Sequence, residues 1–174
     1  TVLLITFFLT VIFDLTVAIE VGLVIACVLF MKRVMETTEI SVITDEIDPN
    51  KESDITVHEE NLMIPKGIEV YEINGPYFFG IATKFEETMT QLGDRPKVRI
   101  IRMRKVPFID STGIHNLTAL CEMSQKEKTT IILSGVNDNV HNVLEKAGFY
   151  ELLGKENICP NINVALDRAK NLVE

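Results

Sequence analysis

The first thirty-one residues, TVLLITFFLTVIFDLTVAIEVGLVIACVLFM, carry two charged side chains, Asp14 and Glu20, and run straight into Lys32-Arg33. As one straight helix the run would measure about 46 Å at roughly 1.5 Å per residue, against a hydrocarbon core of roughly 30 Å. It must tilt or break. Asp14-Leu15-Thr16 is the natural break, because Asp14 or Thr16 can cap a new helix that runs to Met31 and sets Glu20 near its positive end. The pattern then predicts two short helices. One tilted single-pass anchor, with residues 1–13 belonging to the structure before it, fits the same residues and stays open at this point. Glu20 is costly in lipid, so it is expected to face other protein in a packing or functional role. Positive charge after the apolar run and no small-residue cleavage site exclude a signal peptide, and the Lys32-Arg33 end is expected in the cytoplasm. Beginning at Thr1, the chain reads as the carboxyl-terminal part of a longer protein.

Periodicity changes after this run. Residues 34–60 are polar and nearly free of aromatics, with Pro49-Asn50 as a turn signal, which predicts a mobile connector without an ordered site. Residues 67–73 are β-rich and stop at Asn74-Gly75-Pro76, and a short strand pair is expected around residues 77–79. Ile81, Phe85, Met89 and Leu92 recur at helical spacing until Gly93-Asp94. Strands are expected over 98–103 and 129–133, and helices over 114–121, 137–147 and 162–173. Together these predict an α/β domain, a β-sheet covered by helices, over residues 61–174. The domain reading is therefore 1–33 membrane segment, 34–60 linker, 61–174 folded domain.

Charge sharpens that division. Residues 34–60 hold nine acids against Lys51 alone, which accounts for the whole net charge of −8. The acidity belongs to the linker, and the neutral domain behind it has no basic face for nucleic acid. Cys27, Cys121 and Cys159 are odd in number and lack metal-ligand spacing, which points to buried thiols in a reducing compartment.

The stretch FIDSTGIHNL, residues 108–117, places an acid, two hydroxyls and a glycine between the end of a strand and the start of a helix. Orphan amides and the helix dipole make such a start a place for negative charge. A serine nucleophile at Ser111 would need a base held by an orienting partner, and His115 is only four residues along the same helix. His58 lies in the linker and His141 at another helix start. A phosphate-cradling loop of the Walker type would need a lysine after Gly113, and none follows. From the residues alone, Asp110 or Ser111 caps the helix, worth on the order of 1 kcal/mol.

VRIIRMRKVPFIDSTGIHNLTAL, followed by TTIILSGVNDNVHNVLEKAGF, resembles the STAS domain shared by sulfate transporters and anti-sigma factor antagonists. The resemblance rests on Phe108-Ile109-Asp110, Ser111-Thr112-Gly113, Leu133-Ser134-Gly135 and Ala147-Gly148-Phe149. FDLTVAIEVGLVIACVLFMKR resembles the last membrane segments of the SulP (sulfate permease) anion transporters, directly upstream of their STAS domain. That resemblance implies a gate segment in which Asp14 and Glu20 are membrane-embedded acids. In small cytoplasmic STAS relatives the serine after the aspartate is phosphorylated, which marks Ser111 as a candidate regulatory site and Asp110, Thr112 and Gly113 as its motif surface. The family also implies an inorganic or small organic anion bound in membrane helices outside this chain, a homodimer and a regulatory protein at the STAS surface. It implies a multi-pass protein of the cell membrane with the STAS domain in the cytoplasm. No catalytic residue, metal or cofactor is implied. The alternative is a membrane-tethered STAS signalling module switched by phosphorylation at Ser111.

Overall fold

The computed structural model describes residues 2–36, 39–43, 46–47, 62–77 and 96–173, which fall into two units, Thr1–Thr37 and Thr38–Glu174. In the first unit helix α1 spans Val2–Ile12 and helix α2 spans Leu15–Glu36. The break falls at Phe13-Asp14. Phe13 donates its N–H to the Leu9 carbonyl at 2.9 Å as the last bond of α1, and Ala18 donates to the Asp14 carbonyl at 3.1 Å as the first of α2. The Asp14 carboxylate accepts from the Leu15 N–H at 2.6 Å, so the acid occupies one of the amides that a helix start leaves unpaired.

The two helices pack through small residues. Ala18 is buried, and a Cβ on Gly22 would lie 2.5 Å from Thr6 Cγ2, so this four-residue pair is what lets α1 approach α2. Most of the other described apolar side chains, Phe7, Phe8, Leu23 and Phe30 among them, are exposed. A nineteen-residue stretch, Leu15–Arg33, has a mean hydropathy of 2.2 and is long and apolar enough to cross a membrane. The expectation of two short helices is therefore corrected in one respect. At 22 residues α2 is about 33 Å long, enough by itself to match the thickness of a bilayer core, while α1, with 11, reaches about 16 Å. It also continues one turn past Lys32-Arg33, beyond the expected end at Met31.

The second unit is built on strands β1 (Glu39–Ile43), β2 (Glu46–Ile47), β3 (Leu62–Met63), β4 (Ile68–Asn74) and β5 (Val98–Lys105). After them come α3 (Ser111–Lys126), β6 (Thr130–Ser134), α4 (Asp138–Lys146), α5 (Phe149–Leu153), a 3-10 turn (Lys155–Asn157), β7 (Ile158–Cys159) and α6 (Ile162–Val173). The main sheet runs β1-β4-β5-β6-β7, with β4 to β7 parallel and β1 antiparallel at the edge; β2 and β3 pair separately. Residues 34–60 are not a connector throughout, because β1 belongs to the sheet. The expected strand pair near residue 77 reduces, in the described residues, to a single parallel bridge between Tyr77 and Ile109. The predicted helix over 81–92 and the linker histidine His58 lie outside the described residues.

Both sheet faces are covered, which is why the central β6 reads as an apolar run (TIIL) and β4 and β5 place apolar residues on both faces between their charged ones. On one face Tyr71, Ile73, Ile101, Met103 and Leu133 pack against Leu117 and Leu120 of α3, Val140 and Leu144 of α4, and Phe149 of α5. On the other, Val70, Val98, Ile100 and Ile132 pack against Ile162, Ala165, Leu166 and Ala169 of α6.

Two buried charge pairs lie between β4 and β5, in register at Glu69↔Arg99 and Glu72↔Arg102. Their odd spacing sends them to opposite faces. Arg99 Nε lies 3.4 Å from Glu69 Oε2, which also accepts from the Tyr71 hydroxyl at 2.7 Å, while Arg99 Nη1 donates to Ser124 Oγ at 3.3 Å. Burial, reinforced by Glu69, pushes the Tyr71 hydroxyl above its ordinary range. On the opposite face Arg102 Nη1 is 3.4 Å, and Lys105 Nζ 3.7 Å, from the Glu72 carboxylate. A one-residue slip would separate both pairs, so they specify register even where their net stabilisation is small.

Candidate functional site

The turn after β5 is assembled from two segments far apart in sequence. Tyr77 donates its N–H to the Phe108 carbonyl at 3.0 Å, and Asp110 donates its N–H to the Tyr77 carbonyl at 3.4 Å. Asp110, at φ −98° and ψ 178°, is the N-cap of α3: its carboxylate accepts from the Gly113 N–H at 2.7 Å and its carbonyl from the Ile114 N–H at 2.9 Å. The choice between Asp110 and Ser111 as cap is thereby decided for Asp110.

Gly113 is required by space. A Cβ there would sit 2.3 Å from the Tyr77 carbonyl oxygen and 2.8 Å from Ile109 Cγ1. The buried Tyr77 anchors this contact, and desolvation, with the Cys121 thiol adding to it, raises its hydroxyl well above the ordinary range.

Ser111 and Thr112 form the first exposed residues of the helix, and Phe108, 51% exposed, stands just before them. The structure thus brings Asp110, Ser111, Thr112 and Gly113 into one turn whose acid is committed to the cap and whose hydroxyls face outward. A nucleophilic role has no support in it: among the described residues no hydrogen bond joins Ser111 to a histidine, and His141 Nδ1 is 2.6 Å from the Tyr150 hydroxyl. Burial and then the nearby Glu122 push the Cys121 thiol up to about 12, so it stays protonated in the wall of a cavity of about 300 Å³ at the other end of α3. Cys159 is buried as well, whereas Cys27 is exposed on α2, against the expectation of three buried thiols.

Asp14 and Glu20 belong to the helical unit. Asp14 sits at the break, and Glu20 is exposed on the second turn of α2. Sequence reasoning missed the Glu69–Arg99 and Glu72–Arg102 pairs. A signal was present: two acids three apart on one strand are matched by two arginines three apart on the next.

Residues 61–165 match the STAS domain family. A crystal structure of a sulfate transporter family protein from Wolinella succinogenes is 45% identical, covering 64% of this chain and 92% of that one, with a TM-score of 0.61. The putative sulfate transporter YvdB of Bacillus subtilis is 28% identical over 152 residues, 87% of this chain but 27% of the relative. Murine Slc26a9, an anion transporter solved in its inward-facing state, shares the fold at a TM-score of 0.70 over 98% of this chain and 28% of that one, with 20% identity. This chain belongs to the STAS domain family, in the branch of the SulP sulfate transporter family, and corresponds to the carboxyl-terminal part of such a protein. It spans about a quarter of the length of the curated relatives it matches.

Proposed function

We propose that the chain is the carboxyl-terminal part of a secondary anion transporter of the sulfate, bicarbonate or dicarboxylate class, with the STAS domain serving assembly, membrane targeting and regulation. The observation that carries this reading is the order of the two units along the chain: an apolar helix pair whose second helix is long enough to span a bilayer, then, from residue 61, a STAS domain. The protein is a homodimer in the cell membrane, with Lys32-Arg33 and the STAS domain on the cytoplasmic side. The transported anion binds in membrane helices outside this chain. Glu20, exposed on α2, faces other protein of the same transporter, since lipid would penalise its charge.

The test is uptake of radiolabelled sulfate into liposomes holding the full-length protein, with bicarbonate, succinate and chloride as competitors. Saturable uptake above protein-free liposomes is expected, and no uptake of any of these anions across proton and sodium gradients would refute the reading.

Regulation is assigned to the turn at Asp110 to Gly113. A phosphate on Ser111 would bring about −1.5 to −2 charge to the positive end of α3, which favours it, beside Asp110, which opposes it. The fold would survive while the local surface changes sign. Ser111→Asp and Ser111→Glu should therefore fold as the parent does and change flux. If both transport like the parent, with and without cytosolic extract, the turn is only a helix cap. The exposed hydroxyl also supports the second reading, a tethered signalling module switched at Ser111. That reading requires Ser111 phosphorylation in cells without any anion flux.

A further inference from the structure

The cavity of about 300 Å³ lies where the second half of α3, the start of β6 and the end of α5 meet. Some of the polar side chains that line it are spent on the fold. Thr129 Oγ1 donates to the Pro96 carbonyl at 2.8 Å. Asn157 donates from Nδ2 to the Leu153 carbonyl at 2.7 Å, while its Oδ1 accepts from Arg168 Nε at 3.3 Å. Gln125 gives one N–H to the Leu152 carbonyl at 3.4 Å, which leaves its Oε1 and a second N–H for the cavity. Buried Ile131 and Leu153 form an apolar wall together with the Cys121 thiol, which carries no charge. Thr130 adds a hydroxyl. Among the described residues that line the cavity Lys128 is the one cation, and no acid is among them.

Lys128 stands where a helix usually ends in glycine. Alone among the described non-glycine residues it has a positive φ, 61°. Its N–H donates to the Gln125 carbonyl at 3.0 Å and the Thr129 N–H to the Ser124 carbonyl at 2.8 Å, the paired bonds that close α3. A side chain in that conformation gives up stability that glycine would keep. Compensation of the helix dipole does not account for it, because Lys126 already stands in the last turn. Among the described residues no carboxylate lies within ion-pair distance of Lys128. We propose that this cavity binds a compact monocarboxylate of single-ring or short-chain size, its apolar body against Ile131, Leu153 and Cys121 and its carboxylate at Lys128, Gln125 and Thr130. One cation neutralises one charge. A dicarboxylate would press its second charge against the apolar wall, and sulfate, twice charged and without an apolar body, gains nothing from that wall. Ligand pockets run from roughly 300 to 1,000 Å³, so this one suits a single ring rather than a nucleotide. The site belongs to the STAS domain and does not rest on the transporter reading.

The test is fluorine NMR of 4-fluorobenzoate with the full-length protein in detergent, read as line broadening that unlabelled benzoate or hexanoate reverses. Saturable broadening is expected, and sulfate or succinate at the same concentration should not reverse it. Neutral 4-fluorobenzamide should bind about tenfold more weakly, the loss of one charge-assisted contact. Lys128→Gly and Lys128→Asn, both tolerant of positive φ, should melt no lower than the parent and weaken 4-fluorobenzoate binding by about the same factor. Absence of saturable broadening overturns the proposal, as does reversal by sulfate or succinate as effective as that by benzoate. Binding of 4-fluorobenzamide equal to that of 4-fluorobenzoate, or parent-like binding by either folded Lys128 variant, overturns it as well.

Discussion

Gly113 and Asp110 do different work within one turn, and their substitutions separate accordingly. Gly113→Ala drives a methyl into the Tyr77 backbone, which cannot rotate away, and is expected to cost about 2–3 kcal/mol in a urea melt of the domain. Asp110→Ala removes the cap and should cost about 1 kcal/mol. Ser111→Ala, on an exposed residue that does not cap, should stay within about 0.5 kcal/mol. A Ser111→Ala cost as large as that of Asp110→Ala would place the cap on the wrong residue. Cys121 makes a second prediction. Its thiol titrates ordinarily at 9.0 and in the fold at about 12, so the unfolded chain releases the proton first. Stability is complete below pH 9 and falls between pH 9 and 12, by about 1.4 kcal/mol per pH unit once the unfolded thiol is ionised. Tyr71 and Tyr77, also raised, add to the loss above their ordinary value of 10.0. Denaturant melts at pH 8, 9.5 and 10.5 check this, with Cys121→Ala expected to flatten the first part of the decline.

Pairing between elements depends on contacts that no single element contains. Replacing Arg99 by Met leaves the Glu69 carboxylate partly buried beside the Tyr71 hydroxyl, and should destabilise the domain by about 3 kcal/mol. Glu69→Leu added to it should recover part of that loss, as a thermodynamic cycle of the two single changes and the double would show. If the two effects simply add, the pair does not couple β4 to β5. The same elements show what local pattern reveals. Strands β5 and β6 were legible because apolar β-branched residues run together in RIIRM and TIIL, and α3 because a cap, a glycine and inward Leu117, Leu120 and Cys121 agree. Helix α5 and strand β7, of five and two residues, were not. Elements this short hold their shape through neighbours already in place rather than through periodicity.

At the scale of the whole molecule, the two units make separate demands on solvent, since one exposes apolar side chains along its length and the other buries them on both faces of a sheet. A protein beginning at Thr38 should therefore be soluble and melt in one cooperative transition. Calorimetric and van't Hoff enthalpies that disagree, or aggregation of that protein in the absence of the helices, would count against the division. Sequence by itself determined the features that rest on nearest neighbours: the apolar run, the helix start after β5 with Asp110 and Ser111 as its two possible caps, and the alternation of strands and helices that makes an α/β domain. Tertiary structure alone decided the place of β1. EISVI carries β-branched Ile40, Val42 and Ile43 inside an acidic stretch, but that local signal names no partner; it joins the sheet because β4 presents an open row of backbone donors and acceptors, and because Ile40, Val42 and Ile43 find both cores within reach. It alone decided the charge pairs too, because Glu69 meets Arg99 only after two strands thirty residues apart settle into register. Such pairing depends on which backbone edges and faces are left uncovered by the rest of the fold, and that is a property of the assembled chain rather than of any window along it.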